Sequence, residues 1–241
     1  MPAKIMRFES RYNPETGGYR PRLRAQEDYG SVEVEVGRLW YAMVLLLRPK
    51  FVLETGTYFG YSTCMIAAGL RDLGDDRLVT TIDPEERDHL WMGTRLAPYV
   101  RWIKARSQDA AEELAGSKFD LLVLDSDHHY NTIIDELRLY EPMLRKGGCI
   151  LLHDTLFFDG VGAAVKQLQN NPKFEVVTLP SPRTHGDLRG RKPGVTIVRK
   201  IREKGPAIAF ERQYDGLFVG NPHEPALLRR GGRPGDKPSA E

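Results

Sequence analysis

No apolar run in the 241 residues approaches the roughly 20 needed to cross a bilayer. The opening MPAKIMRFESRYNPETGGY has no hydrophobic signal core. A membrane role is not expected, and the cytoplasm is the expected location. Only two cysteines occur, Cys64 and Cys149, far apart and each among apolar neighbours. That excludes a disulfide framework and a thiolate zinc site, and leaves two small core residues. Neither sign of charge dominates: the formal net charge is +2, so bulk electrostatics gives no argument for nucleic acid. Also missing are a Gly-Lys-Ser/Thr phosphate loop and the Asn/Asp-Pro-Pro-aromatic sequence with which base-modifying enzymes grip a flipped base. There is no internal repeat, and no basic-aromatic interleaving of the single-strand-binding type.

What is present is an ordinary globular composition, 41% apolar and 28% charged, long enough for one large domain with a sizeable core. The charge is unevenly placed. Residues 1–24 carry six basic and two acidic side chains, and residues 181–204 carry eight and two. These stretches are solvated surface or a basic rim that attracts an anionic substrate.

Short apolar runs recur at intervals of roughly 20 to 29 residues: Phe51-Leu53, Leu78-Ile82, Trp102-Ile103, Leu121-Leu124, Cys149-Leu152, Val176-Leu179 and Val195-Val198. Most gaps carry helical periodicity, the rhythm of strands and crossover helices in a parallel sheet covered on both faces. One helix, capped by Ser31, places Val36, Leu39, Met43 and Leu47 on one stripe before Pro49 ends it. Another aligns Ile133, Leu137, Tyr140 and Leu144, with Gly147-Gly148 as its stop. The last two runs are separated by SPRTHGDLRGRKPG, which has no helical pattern, so their connection is expected to be antiparallel. The expected fold is therefore α/β: a doubly wound, Rossmann-like sheet of seven strands, five parallel and two in an antiparallel edge hairpin. Residues 1–30 are expected as an N-terminal segment and substrate lid, 31–204 as the domain, and 205–241 as an extension. That extension has a disordered end and two apolar islands, Ile208-Phe210 and Leu217-Val219. A neighbouring subunit in a homo-oligomer, or the domain itself, would cover them.

In such a sheet, ligands bind beyond the carboxyl ends of the strands. The first run ends in Glu54-Thr55-Gly56-Thr57-Tyr58-Phe59-Gly60, an E-x-G-x-x-x-G turn rather than G-x-G-x-x-G. Glu54 stands where a dinucleotide turn needs its first glycine. A carboxylate there would repel a pyrophosphate, yet accept hydrogen bonds from an ammonium or from backbone amides. A zwitterionic, phosphate-free cofactor, S-adenosylmethionine, fits this better than NAD. Asp83, at the end of the second run, can accept from both ribose hydroxyls, or else cap a helix. Ser107 and Gln108, at the end of the third, would meet the adenine edge.

LLVLDSDHHYN ends the fourth run in Asp125, followed by Asp127, His128 and His129; LLHDT ends the fifth in His153 and Asp154. Adjacent strands lie about 4.8 Å apart, so these side chains converge. Carboxylates and imidazoles that close together repel or shift their pKa values unless a cation lies among them. A mainly oxygen donor set with an imidazole suits Mg²⁺, Mn²⁺ or Fe²⁺; without a cation it is a cluster of polar caps. A hydroxyl coordinated there would be acidified and aimed at the methyl group. His128 is the choice for the base that takes its proton, with His129 and Asp127 as alternatives.

LETGTYFGYSTCMIA, ARSQDAAEEL and LLVLDSD together resemble the catechol O-methyltransferase type of class I methyltransferase. They are closer still to bacterial small-molecule and sugar O-methyltransferases that share a D-x-D-H and an H-D motif. The resemblance spans roughly residues 32–200. It implies that Glu54, Gly56 and Gly60 shape the cofactor loop, that Tyr58 lies against the cofactor and that Ser62 binds its carboxylate. It further implies Asp83 on the ribose, Ser107 and Gln108 flanking the adenine, and Mg²⁺ at Asp125, His153 and Asp154. His153 departs from catechol O-methyltransferase, where the pair after the fifth strand is Asp-Asn; Mg²⁺ stays the first expectation, with Mn²⁺ or Fe²⁺ as alternatives and a His153 that does not ligate left open. The function implied is metal-dependent O-methylation of a small hydroxylated acceptor, such as a sugar or natural product. The basic loop Arg183–Lys192 slightly favours an anionic acceptor. The rival readings are an NAD-linked oxidoreductase and a non-catalytic S-adenosylmethionine sensor.

Overall fold

Each apolar run becomes a strand in the computed structural model, which describes residues 32–74, 76–87, 89–181 and 192–218. It also describes the backbone of a small antiparallel ladder between Tyr12–Asn13 and Gly18–Tyr19. The remainder of residues 1–31, Ser31 among them, most of the loop Arg183–Lys192 and the chain beyond residue 218 lie outside the described residues.

The strands are β1 Phe51–Thr55, β2 Leu78–Ile82, β3 Val100–Ile103, β4 Phe119–Leu124, β5 Leu144–His153, β6 Phe174–Leu179 and β7 Val195–Lys200. The helices are α1 Val34–Leu47, α2 Tyr61–Leu73, the single turn α3 Ser107–Ala110, α4 Tyr130–Tyr140 and α5 Asp159–Gln169. The sheet order is β3-β2-β1-β4-β5-β7-β6. β1 to β5 are parallel, and β7 runs antiparallel to both β5 and β6. The doubly wound sheet with an antiparallel edge hairpin is thus what the run spacing predicts.

Successive strand residues face opposite sides. Val52 joins the core under α1 and α2, while Leu53 joins the core under α4 and α5; both are fully buried. Each such side chain is worth about 1.5–3 kcal/mol in removal from water. α2 is buried from Tyr61 to Leu70, wedged between α1 and the sheet. Gly69 permits this approach, because a Cβ there would lie 2.8 Å from Val44 Cγ1.

Two boundaries differ from the sequence reading. α4 stops at Tyr140, because Pro142 in the following 3₁₀ turn cannot donate a helical hydrogen bond. Leu144 is therefore the first residue of β5, and Gly147-Gly148 lie in an irregular stretch of that strand. At α1 the N-cap position is Glu33, and its side chain makes no bond to the helix amides. Its carboxylate is engaged elsewhere, at the site described next.

Candidate active site

A cavity of about 690 Å³ opens beyond the carboxyl ends of β1, β2, β4 and β5. It lies between β1 and β4, where the strand order reverses direction, the expected crevice of a doubly wound sheet. Its two ends differ chemically.

The first end is built on the β1–α2 turn. Gly56 takes φ +83°, and a Cβ there would fall 2.0 Å from the Asp125 carbonyl oxygen. Only glycine lets the two strand ends come this close. Gly60, at φ +82°, starts α2 and packs against Trp91 in the same way. Asp83 faces the cavity; its Oδ2 accepts the backbone N–H groups of Thr57 (3.1 Å) and Tyr58 (2.9 Å). Tyr58 is held at φ +47°, with the Arg87 guanidinium 4.6 Å above its ring. Ser107 and Gln108 line the same end, hydrogen-bonded to one another at 3.3 Å.

Glu54 and Ser62 are not in the cavity wall. Glu54 is fully buried behind the turn, where its Oε2 accepts Thr63 Oγ1 (2.5 Å) and Thr81 Oγ1 (2.7 Å). Burial raises its carboxyl to about 7, against the hydroxyls of Ser62, Thr63 and Thr81 that lower it. Ser62 thus serves Glu54 instead of facing a ligand. Glu54 shapes the loop from below, and its charge is too deeply placed to discriminate directly between a pyrophosphate and a zwitterion.

A residue that the sequence reading missed completes this layer. Glu136, on the buried face of α4, accepts Thr55 Oγ1 (3.1 Å) and Ser126 Oγ (2.5 Å). Burial pushes it up to about 7 as well, with Ser107, Ser126 and Thr55 opposing. Its signal was a glutamate three residues after Ile133 on the apolar stripe of α4.

The second end gathers acids and imidazoles. Single ligand atoms of Asp125, His128 and Asp154 lie within 4.8 Å of one another. His128 Nε2 is 3.4 Å from Asp125 Oδ1 and 3.2 Å from Asp154 Oδ2. His153 Nδ1 is 3.3 Å from Asp125 Oδ1 and 3.6 Å from Asp154 Oδ2, while its Nε2 is 2.9 Å from Glu33 Oε2. Phe158 stacks on His128 at 4.1 Å and, with Phe157 and Val32, forms the apolar side of this end. Asp127 and His129 pair with each other, and His129 stacks on Phe218. Of the three candidate bases, His128 is the one that touches the Asp125–Asp154 pair.

Burial works against each charge here, and the neighbours override it. For Asp125, the His153 charge and the hydrogen bonds from His128 and His153 hold the carboxyl at about 2. For His128, Asp125 and Asp154 lift the imidazole to about 9. His153 is raised well above its ordinary value by Asp154, Asp125 and Glu33. Two imidazoles with raised pKa values thus stand among Asp125, Asp154 and Glu33. While Asp125 and Asp154 are its partners, His128 holds its proton at neutral pH and cannot take another.

The donor set fits a divalent cation. Asp125, Asp154 and His128 converge, His153 Nδ1 lies 3.3 and 3.6 Å from the two carboxylates, and among the described residues Asp154 Oδ1 is buried with no hydrogen-bond partner. Asp154 itself holds φ +57°, a strained conformation of the kind stored at functional sites.

This arrangement of strands and helices is the fold shared by solved O-methyltransferase structures. Residues 53–155, from β1 to the acid cluster, match the family model described as a methyltransferase domain. A rhamnosyl O-methyltransferase of Mycobacterium tuberculosis is 30% identical over 131 residues, covering 50% of this chain and 52% of that protein. Catechol O-methyltransferase B of Danio rerio is 29% identical over 152 residues, covering 58% and 55%. The chain spans about half the length of the curated relatives it matches. Two solved structures share the fold. One is the O-methyltransferase TomG of Streptomyces achromogenes in complex with SAM (TM-score 0.65, 16% identity, 84% of this chain and 91% of that one). The other is an O-methyltransferase of Bacillus cereus in complex with SAH (TM-score 0.62, 17% identity, 82% and 89%).

Proposed function

We propose that the protein transfers the methyl group of S-adenosylmethionine to a hydroxyl of a small molecule, with a divalent cation held by Asp125 and Asp154. The observation that carries this reading is the single cavity with two unlike ends. One end offers Asp83, Ser107 and Gln108 to a nucleoside. The other offers converging carboxylates and imidazoles with an apolar wall.

Bound S-adenosylmethionine supplies a methyl group on a good leaving group, and a bound divalent cation acidifies a hydroxyl that it coordinates. The chain supplies position, which is most of the remaining catalysis. Asp83 ties the turn to its own carboxylate through Thr57 and Tyr58, so the loop is pre-shaped for a ligand. Asp125 and Asp154 would hold the cation. His128, within reach of both carboxylates, would be the group placed to accept the hydroxyl proton if they held a cation. Phe157 and Phe158 exclude water and favour an acceptor with an apolar face. The rhamnosyl and catechol O-methyltransferase relatives make a deoxysugar or a phenol the first acceptors to test, singly or carrying a phosphate.

The experiment measures transfer of labelled methyl from S-adenosylmethionine to a panel of sugars and phenols. It is run with EDTA and with Mg²⁺ or Mn²⁺ restored, on wild type and Asp154→Ala. Transfer abolished by EDTA, restored by metal and at least 100-fold lower in Asp154→Ala is expected. Transfer indifferent to chelation would remove the metal from the mechanism. Binding of NAD but not of S-adenosylhomocysteine would overturn the whole reading.

A further inference from the structure

We propose that Glu33 is a positioning residue for the cation site: it fixes His153 so that Nδ1 of that imidazole is the nitrogen offered to the metal. This rests on the reading of Asp125 and Asp154 as cation ligands.

Glu33 and His153 lie 120 positions apart in sequence and are both buried, 2% and 5% exposed. An ionised carboxylate can only accept, so the 2.9 Å contact between Glu33 Oε2 and His153 Nε2 places a proton on Nε2. When the ring gives up its second proton to make way for a cation, the lone pair is then at Nδ1, the atom that faces Asp125 and Asp154 at 3.3 and 3.6 Å. Metal-ligating histidines characteristically donate their other N–H to a carboxylate, which sets the tautomer and raises ligand basicity.

The alternative role for Glu33 is the helix N-cap, and it does not perform it. The side chain makes no bond to the α1 amides and instead reaches β5. Among the described residues its Oε1 is buried without a partner, an expense in desolvation that capping would not require. His128 differs from His153. It reaches the same carboxylates through Nε2, but among the described residues no carboxylate holds its other nitrogen. Its ring stacks on Phe158. The geometry divides the labour between the imidazoles. His153 is set as a ligand, and His128 is left free to exchange a proton. It also ties the start of α1 to the acid cluster, since Val32 lines the cavity beside Glu33.

The test titrates Mn²⁺ into full-length wild type, Glu33→Gln and Glu33→Ala, following free Mn²⁺ by electron paramagnetic resonance. S-adenosylhomocysteine is titrated in parallel by calorimetry. Electron spin echo spectra of ¹⁵N-histidine-labelled wild type and His128→Asn report nitrogen bound to Mn²⁺. Expected are a dissociation constant for Mn²⁺ raised about 10- to 100-fold in both Glu33 variants, unchanged S-adenosylhomocysteine affinity, and a nitrogen coupling that survives in His128→Asn. Wild-type affinity for Mn²⁺ in both variants, or no coupling in wild type that binds Mn²⁺, would overturn the proposal and leave the cation reading standing. Loss of S-adenosylhomocysteine binding together with Mn²⁺ would make Glu33 merely structural and overturn it too. Absence of Mn²⁺ binding in wild type would overturn both readings. The wild-type coupling does not depend on how any Glu33 variant folds.

Discussion

Gly56 shows how little room a single residue has at this site. Its φ of +83° and the 2.0 Å approach of a Cβ to the Asp125 carbonyl are both backbone constraints, so no side-chain rotation relieves them. Gly56→Ala is expected to weaken S-adenosylhomocysteine binding at least tenfold by calorimetry. It should also lower the melting temperature by several degrees, at about 2–4 °C per kcal/mol for a chain of this size. Glu54 gives a pH effect. Its carboxyl is near 7 in the folded protein, against 4.5 ordinarily, so between these values the native state binds more protons than the unfolded chain. Its contribution is therefore fully present below about 4.5 and is lost as pH rises through 7, by on the order of 3 kcal/mol. In Glu54→Gln that component disappears. The difference in urea-unfolding free energy between pH 5 and pH 8 should be smaller in the variant than in wild type; equal differences would contradict the assignment.

At the scale of elements, the segment 206–218 acts as a strap. Leu217 O accepts the Tyr130 N–H at 2.8 Å and Phe218 O accepts the Gly160 N–H at 2.9 Å. The strap thus serves the N-terminal amides of α4 and α5, which no side chain caps. Gly160 is glycine because a Cβ would meet Leu217 O at 2.4 Å. Ile208 is buried in the core under α4 and α5, and Phe210 and Tyr214 pack on Tyr130. Of the two covers considered for these apolar islands, the described part takes its own domain. Ending the chain at residue 204 is expected to lower the melting temperature by about 5–10 °C. It should also reduce methyl transfer, because the strap steadies the turns that carry His128 and Phe158; unchanged melting would refute this. α4 teaches the reverse lesson. Its periodicity was readable from Ile133 to Tyr140, but Leu144 continued the stripe by coincidence, and Pro142 was the true stop.

For the whole molecule, the parallel order places the Asp83 strand and the Asp154 strand on opposite sides of β1 and β4. The two ends of the cavity are thereby built from different elements and should fail independently. Asp83→Asn is expected to weaken S-adenosylhomocysteine at least tenfold while leaving Mn²⁺ affinity unchanged. Asp154→Ala should do the opposite. Paired titrations check this, and equal losses of both ligands in either variant would show one coupled site.

Much of this was written locally. The alternation of apolar runs with helical gaps sets the sheet, because burial on two faces demands exactly such runs of strand length. The E-x-G-x-x-x-G turn, Asp83 and the two acidic motifs were legible because strand ends in a parallel sheet must meet at one edge. Partnership across long sequence separations was not legible. Nothing local tells Ser62 to serve Glu54, Glu136 to brace three hydroxyls, or Glu33 to leave its own helix and bind His153. Those pairings depend on how α1, α4 and the sheet pack. Only that packing decides which buried polar atoms lie within hydrogen-bond reach, and so which residue shapes the site and which one touches the ligand.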